Sequence, residues 1–320
     1  MSVSLKFIRY QGPVLRGMGE AAMGALKQRL GGKKNGNGAA NGHGAATETT
    51  PALPGREHHI TVSPRPAELV NAYVRWVGGD PSSYKGRVPA HLFPQWGFPL
   101  TGKLVEGLKY PMLAAMNGGC KLTINAQLPA GEPLEVSGRL DAIDDNGARA
   151  ILDQKLVTGT KANPEAVVAH LYVFIPLKPK EGSGDKKSGK KQTEKARVPV
   201  DARELAFFKL KPNAGLDFAK LTGDFNPVHW VPRWAKAFGF RNVILHGFGT
   251  LARAIEALNR GLLAGDVTAL QEIDVRFTRP LVLPARVGVY VRGDKVWVGD
   301  APGGPAYLEG TFKLRNKGQA

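Results

Sequence analysis

Phe218-Ala219-Lys220-Leu221-Thr222-Gly223-Asp224-Phe225-Asn226-Pro227-Val228-His229 sets an acid and an imidazole five residues apart around a glycine and an Asn-Pro turn. Glycine permits dihedrals that other residues avoid, while proline fixes its own φ and restricts its predecessor. Neither a helix nor a strand runs through such a stretch. A tight turn is predicted, with Asp224 and His229 pointing at one spot. Seventeen residues after His229, His246-Gly247-Phe248-Gly249 opens the apolar run Thr250 to Leu263, read as a buried helix.

The residue types suit proton chemistry on a water molecule. A carboxylate and an imidazole that converge can share one water, one accepting a proton while the other orients or donates. Asn226 can hydrogen-bond either partner. A glycine at a helix start leaves its N–H bare toward a carbonyl oxygen, where the helix end favours developing negative charge. A lone Asp-x-Asn-Pro turn is commonly just an Asx loop, and a lone histidine before Trp230 a half-buried side chain. The downstream His-Gly at this spacing is what carries the chemical reading.

The pattern Phe-Ala-x-x-Thr-Gly-Asp-x-Asn-Pro-x-His, then Ala-x-x-x-Gly-Phe (Ala235 to Phe240), then Ile-Leu-His-Gly (Ile244 to Gly247), resembles the MaoC-like R-specific enoyl-thioester hydratases. That resemblance implies a hotdog fold, a long central helix wrapped by a curved antiparallel sheet. It makes Asp224 and His229 the pair that activates water, with Asn226 in support and the Gly247 N–H as oxyanion donor. Gly223, Phe225, His246 and Phe248 are expected at the substrate surface. Phe218 stands where that family usually has Tyr, Thr222 where Ser is common, and Trp230-Val231 where a small polar residue and Asp are frequent.

Composition narrows the classes. With 320 residues and 42% apolar content, the chain can build about two domains. The single cysteine, Cys120, rules out an internal disulfide and suits a reducing compartment. No apolar run approaches the roughly 20 residues of a spanning helix, and no zinc-like ligand spacing appears, so no metal is expected; His58-His59 is assigned to a linker. The formal charge of +17 is concentrated in two stretches. Residues 178–197 carry eight Lys or Arg against three acids, and the first 34 carry seven against one. Such blocks are commonly solvated. They could attract an anionic membrane, coenzyme A phosphates or an acidic carrier protein. No aromatic residue interleaves the 178–197 run, which argues against nucleic acid.

Four segments are predicted. Residues 1–57 hold a basic helix, Pro13 to Leu30, that docks on the fold, followed by a flexible Gly-rich linker. Residues 58–177 and 199–320 form two related folded halves, joined by the Lys-rich linker 178–198. A self-comparison at an offset of 150 pairs Trp96-Gly97-Phe98 with His246-Gly247-Phe248 and gives six identities over Gly97 to Ala114. Strands are predicted at 122–127, 135–143, 148–158 and 166–176, and again at 270–278, 285–291, 295–298 and 306–314. One helix and an antiparallel meander, twice, predict an α+β double hotdog of two sheets, each wrapping a central helix.

In the first half Gly79-Asp80 aligns with Gly223-Asp224, Lys85 with His229 and Trp96 with His246. That half is expected to lack the catalytic pair and to shape an acyl pocket, its interior freed for a long or bulky chain. The expected function is reversible hydration of trans-2-enoyl thioesters to (R)-3-hydroxyacyl thioesters, with no cofactor, the coenzyme A or acyl carrier protein being part of the substrate. The alternatives are a catalytically silent acyl-thioester-binding partner subunit and a hotdog thioesterase. A monomer or homodimer in the cytoplasm is expected, an organelle address in residues 1–31 being left open.

Overall fold

The computed structural model describes residues 2–16, 19, 51–177 and 196–316. Twelve strands run in chain order: β1 His58–Val62, β2 Arg87–Val88, β3 Met116–Ile124, β4 Leu128–Pro129, β5 Leu134–Asp145, β6 Arg149–Gly159, β7 Val167–Pro176, β8 Arg203–Leu210, β9 Leu270–Phe277, β10 Ala285–Arg292, β11 Lys295–Gly299 and β12 Ala306–Leu314. Among the described residues, five complete α-helices accompany them, besides a helical stretch at 12–16: α1 Ala67–Val77, α2 Pro94–Leu104, α3 Ala214–Thr222, α4 Pro232–Ala237 and α5 Gly247–Gly261. Ten strands form one antiparallel sheet in the order β1-β5-β6-β7-β3-β9-β12-β11-β10-β8.

The order reads the same from either edge once β1, β5, β6, β7 and β3 are matched with β8, β10, β11, β12 and β9. Each half is one five-stranded hotdog sheet, and the two join edge to edge through β3 and β9, with Gly119 opposite Arg276 and Leu122 opposite Ile273. The fold is a double hotdog, as the sequence predicts, and the seam turns two sheets into one. Joining them satisfies the backbone edge that each would otherwise leave open.

β6 alternates buried and half-buried residues along its length, so one face meets the helices. α5 is different. Phe248, Leu251, Ala252, Ala254, Ile255 and Leu258 bury almost its whole circumference, which makes it the central helix of the C-terminal half. α2 is shorter, carries Pro99 in its interior and buries Trp96, Leu100 and Leu104. Trp96 and Phe93 are each 1% exposed, and the Trp96 indole N–H donates to Thr158 Oγ1 at 3.0 Å. Bulky side chains therefore pack the interior around the start of α2.

Other expectations are corrected. His58 and His59 belong to edge strand β1, paired with β5, and not to a linker. β1 and β8 are edge strands set apart in sequence from their meanders, so the meander's turn signals do not announce them. Arg197 and Val198 already belong to the second half: Arg197 bridges Pro305, and Val198 is 1% exposed.

The basic N-terminal helix lies mostly outside the described residues. The part described does not hang free. A 3₁₀ turn, Leu5–Tyr10, leads to Gln11, which is fully buried and donates through Nε2 to Lys220 O at 3.1 Å. Gln95 of α2 donates to Gln11 Oε1 at 3.1 Å, so this side chain ties α2 to α3. Ser2 Oγ and Val3 N both donate to the buried Asp217 carboxylate, which also meets Lys220 Nζ at 3.2 Å. Among the described residues, no helix is long and apolar enough to cross a membrane; strands are a separate matter.

Candidate active site

α3 ends at Gly223, whose φ of 86° is a left-handed cap, and its N–H donates to Ala219 O at 2.7 Å. A side chain there would meet Val14 of the N-terminal segment at 2.7 Å. Glycine is required on both counts. The chain then turns through Asp224 and enters a 3₁₀ turn, Pro227–His229, capped by Asn226, whose side chain accepts from Val228 N at 3.2 Å. This brings Asp224 and His229 together beside the N-terminus of α5.

His229 Nδ1 donates to Ile244 O at 2.9 Å. That bond fixes the neutral tautomer and leaves the Nε2 lone pair free. His246, the N-cap residue of α5, donates from Nε2 to Asp224 O at 2.9 Å, and Nε2 lies 3.8 Å from Asp224 Oδ2. The His229 and His246 rings stack at 3.5 Å and 24°, and Phe218 backs His246 at 4.7 Å. A column of three rings thus holds His229 from below.

Burial pushes the Asp224 carboxyl up from its ordinary value, opposed by His229 and by the Asn226 N–H, which reaches Oδ1 at 3.3 Å. Burial pushes His229 down, opposed by the Asp224 charge and the Ile244 carbonyl. His246 falls well below its ordinary value, by burial first and then by His229. A buried carboxyl and a buried imidazole brought closer in proton affinity can exchange a proton with little free-energy change.

Gly247 opens α5. A Cβ there would come within 2.6 to 2.8 Å of the Phe277 ring, so only glycine fits under that ring. Among the described residues no protein acceptor engages the Gly247 N–H, as expected for the first turn of a helix.

The structure brings Asp224, Asn226, His229 and Gly247 together. It places the other candidates differently. His246 and Phe248 are 1% and 2% exposed and lie beneath the site, Gly223 is buried against Val14, and only Phe225 is half-buried at the rim. The first three position the site and do not line it. Sequence reading missed Ile244 and Phe277. A backbone carbonyl leaves no signature in residue type, and the Phe277 contact crosses elements thirty residues apart.

The fold also gathers ligand-type atoms that sequence spacing kept apart. Asp224, His229 and His246 present such atoms within 4.8 Å of one another, as do Asp141, Asp153 and His170. In the first group one ring nitrogen of each histidine is already donating to a backbone carbonyl. The second group is engaged internally, His170 Nδ1 meeting Asp153 at 2.9 Å and Arg139 Nε meeting Asp141 at 2.8 Å.

A double hotdog with an Asp/His elbow at the head of its second central helix defines the class. Residues 186–299 match the sequence profile of the family described as MaoC like domain. The chain is 28% identical over 253 residues to 3-hydroxyacyl-thioester dehydratase X of Mycobacterium tuberculosis, covering 78% of this chain and 84% of the relative. It is 28% identical over 193 residues to peroxisomal enoyl-CoA hydratase 2 of Arabidopsis thaliana, covering 55% of this chain and 60% of that protein's length. Its fold matches the crystal structure of HtdX of Mycobacterium tuberculosis with a TM-score of 0.63 at 23% identity, covering 81% of this chain and all of that one. A MaoC-like dehydratase from Phytophthora capsici matches with the same TM-score at 22% identity, over 81% of this chain and 95% of that one.

Proposed function

We propose that the chain catalyses reversible hydration of trans-2-enoyl thioesters to (R)-3-hydroxyacyl thioesters. The observation that carries the reading is the pairing of His229, with its Nε2 lone pair free, and Asp224 beside an unengaged helix-start N–H at Gly247. The relatives named for hydratase and dehydratase activity supply the reaction class.

In the hydration direction, Asp224 and His229 hold one water. His229 Nε2 accepts a proton as the water oxygen bonds to C3. The C2–C3 π electrons move toward the thioester carbonyl, whose oxygen takes up negative charge at the Gly247 N–H, near the positive end of α5. The proton returns to C2 through the same pair, so one water is consumed and no group leaves. Dehydration is the reverse. Asn226 keeps the elbow closed, and His246 keeps the His229 ring in place. This chemistry calls for no metal and no organic cofactor, since coenzyme A or an acyl carrier protein enters with the substrate. One chain holds the whole site, and we place it in an aqueous, reducing compartment.

Turnover of a panel of trans-2-enoyl-CoA esters, followed by loss of enoyl absorbance with chiral analysis of the product, tests the reading. The expected result is the (R)-3-hydroxyacyl ester. Release of free thiol would replace the reading with thioester hydrolysis, and binding without turnover with a silent acyl-binding module.

A further inference from the structure

Trp230, Trp234 and Phe238 are 40%, 47% and 51% exposed, on a segment that begins one residue after His229. Trp234 and Phe238, four residues apart, lie on one face of α4 and its C-cap, and Trp230 precedes the helix across the extended Val231. The opposite side is anchored, with Ala235 fully buried and Val231 half-buried. The Trp234 and Phe238 rings lie 5.7 Å apart, and the Trp230 indole N–H donates to Phe225 O at 3.1 Å. The aromatic face is therefore fixed to the rim of the site.

Its polar neighbours carry one sign. Arg233, Lys236 and Arg241 are exposed, and no acid occurs from Phe225 to Ile255. Large exposed aromatic clusters on a soluble chain mark an interaction surface. Here the composition decides the partner. A second copy packed about a two-fold axis would set Arg233 and Lys236 against their own like charges, with no acid in the segment to pair them. Aromatic rings flanked by Lys and Arg instead match the interface of an anionic bilayer, where Trp and Phe settle at the headgroup level and basic side chains meet lipid phosphates. The overall charge of +17 acts in the same direction.

We propose that the α4 face, Trp230, Trp234 and Phe238 with Arg233 and Lys236, docks on anionic membrane surfaces and so sets the mouth of the Asp224–His229 site against the bilayer. The docking itself does not depend on the thioester reading, because it is measured with vesicles and no substrate.

The test is flotation of the full chain with phosphatidylcholine vesicles, with and without phosphatidylglycerol, combined with quenching of tryptophan fluorescence by brominated acyl chains. Binding that requires phosphatidylglycerol, weakens with salt and quenches tryptophan is expected. Arg233→Glu/Lys236→Glu should weaken it by at least roughly 10²-fold, since two attractions become two repulsions. Trp234→Ala/Phe238→Ala should remove most of the quenching. Both pairs are exposed and outside the proton machinery, so turnover of a short, soluble enoyl-CoA should be unchanged. No flotation overturns the proposal. So does flotation that both variants retain, which assigns binding to the basic segments 17–34 and 178–197. Loss of self-association in the variants, or loss of binding to an acidic acyl carrier protein without any vesicle binding, reassigns the face and also overturns it.

Discussion

The two halves share a frame and part company at one elbow. In the first half α1 ends at Gly78 with a φ of 95°; in the second, α3 ends at Gly223 with a φ of 86°. Each cap is followed by an X-Pro 3₁₀ turn whose first residue accepts from a backbone N–H two residues on, Asp80 from Ser82 at 2.9 Å and Asn226 from Val228 at 3.2 Å. Asp80 therefore corresponds to Asn226, not to Asp224 as the sequence alignment placed it. Gly79 takes the place of Asp224, and Ser83 that of His229.

The vacated place is not empty. A Cβ on Gly79 would lie 2.5 Å from Glu256 Oε2, because the central helix of the other half sends its carboxylate there. Glu256 accepts from Tyr84 OH at 2.6 Å and meets His91 Nε2 at 2.9 Å, and Asn259 donates to Tyr84 OH at 3.1 Å. Tyr73, Tyr84, His91 and Glu256 are almost wholly buried, at 0, 7, 4 and 1% exposure. The first elbow thus holds an acid from one half against a base from the other, as a latch between halves. The second elbow holds them at a rim, with one lone pair left over.

The largest test of that contrast is catalytic. Asp224→Asn and His229→Ala should each lower kcat by at least about 10² with the fold retained. Ser83→Ala and Lys85→Ala, at the matching elbow, should leave kcat unchanged. Steady-state kinetics with circular dichroism on all four variants checks it, and a comparable loss from both elbows would end the asymmetry.

Glu256→Ala should act on stability. Removing one member of a buried polar cluster strands its partners, at a cost of roughly 3 kcal/mol. Glu256→Gln, which keeps an acceptor for Tyr84, should cost less. Urea unfolding of the pair measures the difference, and equal losses would show that size rather than hydrogen bonding holds the latch.

The helix starts give a smaller contrast. Gly97 sits inside α2, and its N–H already donates to Phe93 O at 2.8 Å, whereas the Gly247 N–H has no such partner. Gly247→Ala pushes a methyl group into the Phe277 ring and should displace the oxyanion donor, with a loss in kcat on the order of tenfold or more. Gly97→Ala meets only the movable tip of Leu156 and should leave kcat alone.

Much of this was legible in the sequence. The Gly-Asp-x-Asn-Pro-x-His stretch announced its own turn, because glycine and proline act within a few residues of chain. The meander strands announced themselves by alternation and turn residues. What escaped depended on contacts across the fold. The Val14 contact that excludes a side chain at Gly223 spans about two hundred residues, and the Gly79–Glu256 contact joins the halves. The equivalence of Asp80 with Asn226 appears only once cap positions are compared, since the halves differ by short insertions that a fixed offset cannot follow. The oxyanion and tautomer arguments rest on backbone groups, which every residue carries.

The smallest effect concerns the same elbow read through stability. Burial raises the Asp224 carboxyl above 3.8 in the folded chain, so folding favours its protonated form. That contribution is fully present below 3.8 and is lost as pH rises through the raised value. At neutral pH the ionised carboxylate therefore works against the fold. Burial lowers His229 below 6.5, so the folded state resists protonation there, and its contribution is lost as pH falls from 6.5 toward the lowered value. Asp224→Asn should accordingly stabilise the chain at pH 7, by about 1 kcal/mol, and the gain should vanish below pH 3.8. Activity should run the other way. It needs Asp224 ionised and His229 neutral, so kcat/KM should rise with pH from 3.8 upward, through the raised Asp224 value, and level off once that carboxyl is ionised. Urea melts of wild type and Asp224→Asn across that range, beside the pH–rate profile, read both signs at once. A variant less stable than wild type at pH 7 would make Asp224 a structural carboxylate, and the second elbow would then differ from the first in residues but not in purpose.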